Sequence, residues 1–281
     1  MPTAQVNGVG LHYQQLGRGP DLVMVHGLLS SLAFWYLGAA AALAPDFRVT
    51  VYDLRGHGRS DMPPRGYTTR DMAADLHGLL DELGLERVHL VGHSFGGAVV
   101  LHYTALHPER VLSVVEADGQ IPRFQRSVIP DGSRRWRRAA ARLRKLGYEV
   151  PADLPRVARG FLEDLAAAAD GAEPETPVGR VLDPNSHAYR RWTELMKATP
   201  AGRELGQPAG LTVRRIRSVR QPVLAIFGER SYCMPTLRAL ERNLANCSRT
   251  IVAGAGHLFP LRRPDVLASA VRSFAGERGS R

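Results

Sequence analysis

The sequence predicts an α/β fold: an eight-stranded, mostly parallel sheet flanked by helices, with a helical insertion in its second half. Short apolar runs alternate with longer segments of helical period, the pattern of a parallel sheet wrapped by helices. Most of these runs are solid Val, Ile or Leu without in–out alternation, as strands covered on both faces require. The stretch 121–215 offers no strand candidate; it is rich in Ala, Arg and Leu and is cut by Pro151, Pro155, Pro174, Pro177 and Pro184.

In chain order the strand candidates are residues 3–6, 10–16, 22–25, 48–52, 87–91, 111–115, 222–227 and 248–252. A helix over 71–83 carries Met72, Leu76, Leu79, Leu80 and Leu83 on one stripe at three- and four-residue spacing. Thr68 and Asp71 form a capping pair at its start, and Gly84 ends it. A second helix, 95–106, closes at His107-Pro108, and the last, 265–274, starts just after Pro264. The division that follows is a core of residues 1–120 and 216–281, with 121–215 as a helical cap over the C-terminal edge of the sheet.

The 281 residues are 44% apolar, so a sizeable core is within reach. Residues 1–10 have no basic region followed by an apolar core, and no apolar run approaches membrane-spanning length. The expectation is a cytoplasmic protein with no membrane partner. Cys233 and Cys247 lack the spacing of a metal or redox site and read as free thiols. The net charge of +10 is uneven: between Ile121 and Arg220, 20 Lys and Arg face 11 Asp and Glu. A solvated, Arg-rich helix face explains this most simply; a docking face for an acidic partner or anionic substrate is the sharper alternative. Nucleic acid is a poor fit, because the basic runs lack interleaved aromatics and a recognisable motif.

The chemistry centres on Gly92-His93-Ser94-Phe95-Gly96-Gly97, which follows an apolar strand and opens a helix. A bare Gly-x-Ser-x-Gly match carries little weight; the strand before and helix after carry it. A strand that turns at once into a helix strains the residue between them, and side chains at Gly92 and Gly96 would collide there. The Ser94 hydroxyl is thereby presented at the tip, over the helix N-terminus. Acyl transfer from such a serine needs two backbone amides aimed at the oxyanion. Phe95, after the nucleophile, supplies one, and Leu28, in the His26-Gly27 turn after the third strand, is best placed for the other. His257 is the candidate base, in a Gly-rich loop after the last strand. His26, His93 and His107 suit packing or turn roles, and His187 is a candidate pocket residue in the cap.

The ordered set His26-Gly27, Asp53-Leu54-Arg55-Gly56-His57-Gly58-Arg59-Ser60, Gly92–Gly97 and Gly254-Ala255-Gly256-His257 resembles the capped α/β hydrolases along nearly the whole chain. The resemblance implies a catalytic triad and gives the Asp53–Ser60 loop a structural part, leaving His57 without a catalytic role. Members usually carry an Asp three residues beyond a glycine after the seventh strand, but Gly228-Glu229-Arg230-Ser231 places Ser231 there. Some members take the acid from the end of the sixth strand instead, where this chain has Glu116-Ala117-Asp118. Asp118 is therefore the candidate acid, with Glu116 and Glu229 as alternatives. Dehalogenases and epoxide hydrolases of the fold need a carboxylate nucleophile where Ser94 stands.

The expectation is a serine hydrolase cleaving a carboxylic ester of a small-molecule acyl substrate, with no metal and no organic cofactor. The alternative is a thioesterase or acyltransferase using the basic cap to meet an acidic carrier protein or a coenzyme A thioester. Carbon–carbon bond hydrolysis and cofactor-free haloperoxidase chemistry share the same motifs. A small-ligand receptor with a slow triad is the reading from another class; the displaced acid favours it, and the intact Ser94, His257 and oxyanion loops oppose it.

Overall fold

The computed structural model describes residues 2–124, 134–145, 150, 183 and 185–276. Eight strands, β1 (Thr3–Val6), β2 (Val9–Leu16), β3 (Asp21–Val25), β4 (Arg48–Tyr52), β5 (Val88–His93), β6 (Val111–Ala117), β7 (Val223–Gly228) and β8 (Cys247–Val252), form one sheet. Their spatial order is β1-β2-β4-β3-β5-β6-β7-β8. β1 and β2 make a hairpin through Asn7-Gly8, both at positive φ as a tight two-residue turn demands. β2 runs antiparallel to β4 as well, and every later pairing is parallel. The solid apolar runs behave as their composition requires: β5 is buried throughout, and β3 at all but its first residue.

Two strands run further than the apolar pattern alone suggests, and the extra residues matter. β5 continues to His93 and β6 to Ala117, and the register pairs Gly92 with Glu116 and His93 with Ala117. Ser94 and Asp118 therefore leave adjacent strands side by side. On the far side of β6, the Asp118 amide donates to the Ile226 carbonyl of β7 at 2.8 Å, which fixes where that residue leaves the sheet.

The helices flank this sheet. Thr69–Glu82 opens with both halves of a capping box: Asp71 N donates to Thr68 Oγ1, and Thr68 N donates to the Asp71 carboxylate. Of the insertion expected over 121–215, residues 125–133, 146–149, 151–182 and 184 lie outside the described residues. The described parts are helical, at Arg134–Lys145, His187–Ala198, Ala201–Glu204 and Val213–Ser218, and contain no strand. No helix among the described residues is long and apolar enough to cross a membrane. Cys233 is buried and Cys247 half-buried, and no disulfide joins them.

The loop after β4 is held by buried charge. Asp53 accepts from Leu32 N at 2.7 Å, Arg59 N at 2.9 Å and His12 Nδ1 at 2.8 Å, so it ties the loop after β3 to its own. Arg55 forks onto Asp75 of the Thr69–Glu82 helix through Nε at 2.6 Å and Nη2 at 2.5 Å, with both side chains buried. Removing one partner of such a pair strands the other charge away from water. Asp75→Ala should therefore cost about 3–5 kcal/mol in urea unfolding, and a loss below about 1 kcal/mol would show that Arg55 reaches solvent instead.

Candidate active site

Ser94 stands between β5 and the helix Phe95–Leu106 with φ 53° and ψ −124°, a conformation that a side chain adopts at a cost of about 1–3 kcal/mol. The surroundings enforce it. A Cβ at Gly92 would sit 2.6 Å from the Gly96 carbonyl oxygen, and one at Gly96 would strike the carbonyl of Val25. The helix can therefore begin immediately after the strand only with glycine at both places. The Ser94 carbonyl accepts from Gly97 N at 3.0 Å and from Gln120 N at 2.7 Å, so the elbow is also tied to the chain beyond β6.

The loop after β3 meets the elbow closely: a Cβ at Gly27 would lie 2.7 Å from Ser94 Cβ. His26 fixes this loop. Its Nε2 accepts from Leu54 N at 3.1 Å, which leaves Nδ1 to donate to the Gly27 carbonyl at 2.7 Å. Burial lowers its pKa and holds it neutral in that tautomer. The turn role read from the sequence for His26 matches these bonds. Leu28 follows directly and is buried, and Leu29 has φ 56°. The two amides named from the sequence, Leu28 and Phe95, thus belong to backbones in contact at Ser94.

Asp118 and His257 are both fully buried and joined, with His257 Nδ1 donating to Asp118 Oδ1 at 3.0 Å. Asp118 has φ 55°, a second strained residue beside the first. Two further donors complete its carboxylate: Gly228 N to Oδ2 at 2.8 Å, and the Ser231 hydroxyl to Oδ1. Ser231, which stands where the resemblance places the acid, here donates to Asp118 instead. Glu229 is exposed and accepts from Gly254 N at 2.7 Å, bracing the loop that carries His257. Glu116 is buried with its carboxylate against Gly97 and Gly119, beneath the elbow.

Three further side chains reach His257: Tyr232, which the sequence reading passed over, Cys233, read as a free thiol, and His93, read as a packing or turn residue. The Tyr232 hydroxyl lies 3.2 Å from Nε2, and Cys233 Sγ lies 3.6 Å from Nδ1. With the Nδ1 proton committed to Asp118, the phenol is the donor to Nε2. His93 Nε2 donates to the His257 carbonyl at 3.0 Å, while its ring stacks on Phe34 at 4.5 Å. Burial holds His93 well below the ordinary histidine pKa, so it stays a neutral strut between the elbow and the base loop. His187 opens the helix His187–Ala198 and lines a surface cavity of about 570 Å³ with Arg59, Arg190 and Glu194.

Known proteins share this fold. The family model described as "alpha/beta hydrolase fold" matches residues 20–264. The chain belongs to that family. Carboxylesterase YbfK of Bacillus subtilis is 28% identical over 264 residues, which cover 91% of this chain and 80% of that one. An uncharacterized protein of Mycobacterium tuberculosis is 31% identical over 274 residues, covering 92% and 76%. Epoxide hydrolase 3 of Siraitia grosvenorii is 35% identical over 124 residues, so the chain spans 39% of that relative's length. Among solved structures, the meta-cleavage product hydrolase of Pseudomonas fluorescens superposes with a TM-score of 0.74 at 21% identity, covering 99% and 98% of the two chains. The carboxylesterase likeness and the family match together place the chain among the α/β hydrolases.

Asp118, Cys233 and His257 each present one possible metal donor, all within 4.8 Å of one another. In this α/β hydrolase those donors are turned on each other, because Asp118 and Cys233 share the Nδ1 side of one imidazole. Glu116 behaves differently. Neither carboxylate oxygen has a hydrogen-bond partner among the described residues, and burial pushes its pKa up to about 8. Its folded pKa lies above the unfolded value, so the folded state gains from protonation at low pH and loses that gain as pH rises from about 4.5 to about 8. Glu116→Gln should thus become progressively more stable than wild type across that window, by at most about 1.4 kcal/mol per pH unit, and level off above it. Urea midpoints from pH 5 to pH 9 check this; a difference independent of pH would mean that Glu116 is ionised in the fold.

Proposed function

We propose that this α/β hydrolase is a serine esterase that cleaves a carboxylic ester carrying a small or medium apolar acyl group. The observation that carries the reading is the buried Asp118–His257 pair, whose carboxylate leaves the strand next to the one that ends at the strained Ser94. A buried carboxylate with three donors on it, one of them the imidazole, has its charge fully matched only when the ring stays in the Nδ1–H tautomer. Nε2 is then the basic nitrogen. At rest it is held by the Tyr232 hydroxyl, which gives way to Ser94 as substrate enters.

Ser94 Oγ forms a bond to the acyl carbon while its proton passes to His257 Nε2. The carbonyl electron pair moves to oxygen and is held by the Leu28 and Phe95 amides. Collapse breaks the carbon–oxygen bond, and the imidazolium, stabilised by Asp118, returns its proton to the departing alkoxide. Water then gives a proton to Nε2 as it attacks the acyl carbon; collapse breaks the Ser94 Oγ–carbon bond, the imidazolium returns its proton to Ser94 Oγ, and the acid leaves. The likeness to a carboxylesterase over 91% of the chain supports the ester substrate. Epoxide opening is disfavoured despite the epoxide hydrolase relative, because it needs a carboxylate nucleophile where Ser94 stands.

A second reading, a thioesterase meeting an acidic carrier protein or a coenzyme A thioester, draws on the helix Arg134–Lys145. That helix presents Arg134, Arg137 and Arg138 near its start and Arg142, Arg144 and Lys145 in its last turn. If an acidic carrier docks there, turnover of its thioester should fall steeply between about 50 and 300 mM salt, and flat turnover across that range would remove the reading.

Steady-state kinetics on p-nitrophenyl esters test the main proposal. Ser94→Ala should remove activity without unfolding the protein. Asp118→Asn should lower kcat by about 10³–10⁴, while Glu229→Gln stays within about twofold. A large loss in Glu229→Gln with Asp118→Asn unaffected would show that the wrong carboxylate has been assigned.

A further inference from the structure

A second cavity, of about 490 Å³, lies between the chain that leaves β6 and the helices Val213–Ser218 and Met234–Asn243. Its walls start just beyond the candidate triad. Arg123 and Phe124 follow Asp118 in the chain, and Pro235 follows Cys233. The walls are joined where Ile121 N donates to Thr236 Oγ1 at 3.3 Å. The floor is apolar, made by Phe124, Val213, Pro235 and Ala239. Among the described residues the polar lining is three guanidinium groups, Arg123, Arg238 and Arg242, all exposed, and no acidic side chain lines the cavity.

The charge arrangement is unbalanced in a way that points to a ligand. Arg238 and Arg242 stand four residues apart on one helix face, a spacing at which like charges repel. The acid on that helix, Glu241, is turned to Arg249 at 3.1 Å. The neighbouring arginines are also committed elsewhere: Arg217 donates to Asn243 Oδ1 and Arg215 to the Gly210 carbonyl. Among the described residues no carboxylate pairs with Arg123, Arg238 or Arg242. Three unpaired forks around one hollow match an anion of more than one charge, and a guanidinium matches phosphate geometry with two parallel bonds. The volume is in the range of small-molecule sites, and the apolar floor calls for an organic portion beside the charge.

We propose that this cavity binds a phosphorylated small molecule, with its phosphates on Arg123, Arg238 and Arg242 and its organic part against Phe124, Val213, Pro235 and Ala239. The proposal does not depend on the esterase reading, since none of these residues belongs to the triad or its donors. Two sources carry this chemistry: a free phosphorylated ligand, or the phosphate-bearing thiol of a thioester substrate whose acyl end reaches Ser94.

Calorimetric titration of the full chain as Ser94→Ala, at low salt, tests binding apart from turnover. The probes are adenosine 5′-diphosphate, pyrophosphate and octanoate. Adenosine diphosphate should bind more tightly than pyrophosphate, weaken with added salt, and lose at least tenfold in affinity in R238E/R242E. The charge-matched control R18E/R87E, both exposed and remote in sequence, should bind as the parent does. The milder R238Q/R242Q pair repeats the test should the reversed charges disturb folding. No adenosine diphosphate binding, equal binding in all variants, or binding of octanoate alone would overturn the proposal. Kinetics on Ser94-containing protein then separate the sources. A KM for acetyl-coenzyme A raised at least tenfold by R238E/R242E, with the KM for the truncated thioester acetyl-N-acetylcysteamine unchanged, assigns the site to the leaving group. Loss of adenosine diphosphate binding with neither KM moved assigns it to a separate ligand.

Discussion

A carboxylate with no access to water must have every charge-bearing lone pair answered, and in this α/β hydrolase that demand falls on Asp118. It is met from three directions: the His257 imidazole, the Gly228 amide at the end of β7, and the Ser231 hydroxyl one turn beyond. The β6–β7 pairing delivers Asp118 to the first turn after β7, and the loop after β8 delivers His257. If any of these strands slipped in register, a buried charge would lose its partner at a cost of several kcal/mol. The geometry of the site and the integrity of the sheet's C-terminal edge are thus one constraint.

The same edge concentrates backbone strain. Leu29, Ser94 and Asp118 all have φ between 53° and 56°, and they lie in the loops leaving β3, β5 and β6. Each conformation costs free energy that only the surrounding packing can offset. Here the offset comes from close backbone approach, with Gly27 against Ser94 and Gly96 against Val25, and from the paired hydrogen bonds onto the Ser94 carbonyl. On the proposed reading, a hydroxyl and two amides are held before substrate arrives, which is how such a site would stabilise developing charge without first reorganising.

Much of this was legible in the sequence because it is written in local chemistry. Solid apolar runs mark buried strands, and a glycine on either side of Ser94 is demanded by a sharp strand–helix turn. Thr68 and Asp71 make their capping box within four residues. The carboxylate opposite His257 was readable only by subtraction: the usual position holds Ser231, and Asp118 was the carboxylate at the neighbouring strand end. What Ser231 does instead was not readable, since its bond to Asp118 spans 113 residues. Tyr232 and Cys233 carry no spacing signal either; their meeting with His257 comes from two loops folding together. Adjacency to Ser231 was the one available clue. Glu116 looked like a rival acid in the sequence, and only its burial between Gly97 and Gly119 separates it from His257's partner.

In the proposed esterase Ser94 is a nucleophile whose reactivity depends on a base oriented by Asp118. A fluorophosphonate probe reports that dependence directly, because it phosphonylates a serine only when that serine is activated. Intact mass followed by peptide mapping should give one adduct, on the Ser94 peptide, absent from Ser94→Ala and formed far more slowly in Asp118→Asn. A folded wild-type protein that takes no label, or takes it at another residue, would contradict the account and leave Ser94 as a structural element of a site that does no acyl chemistry.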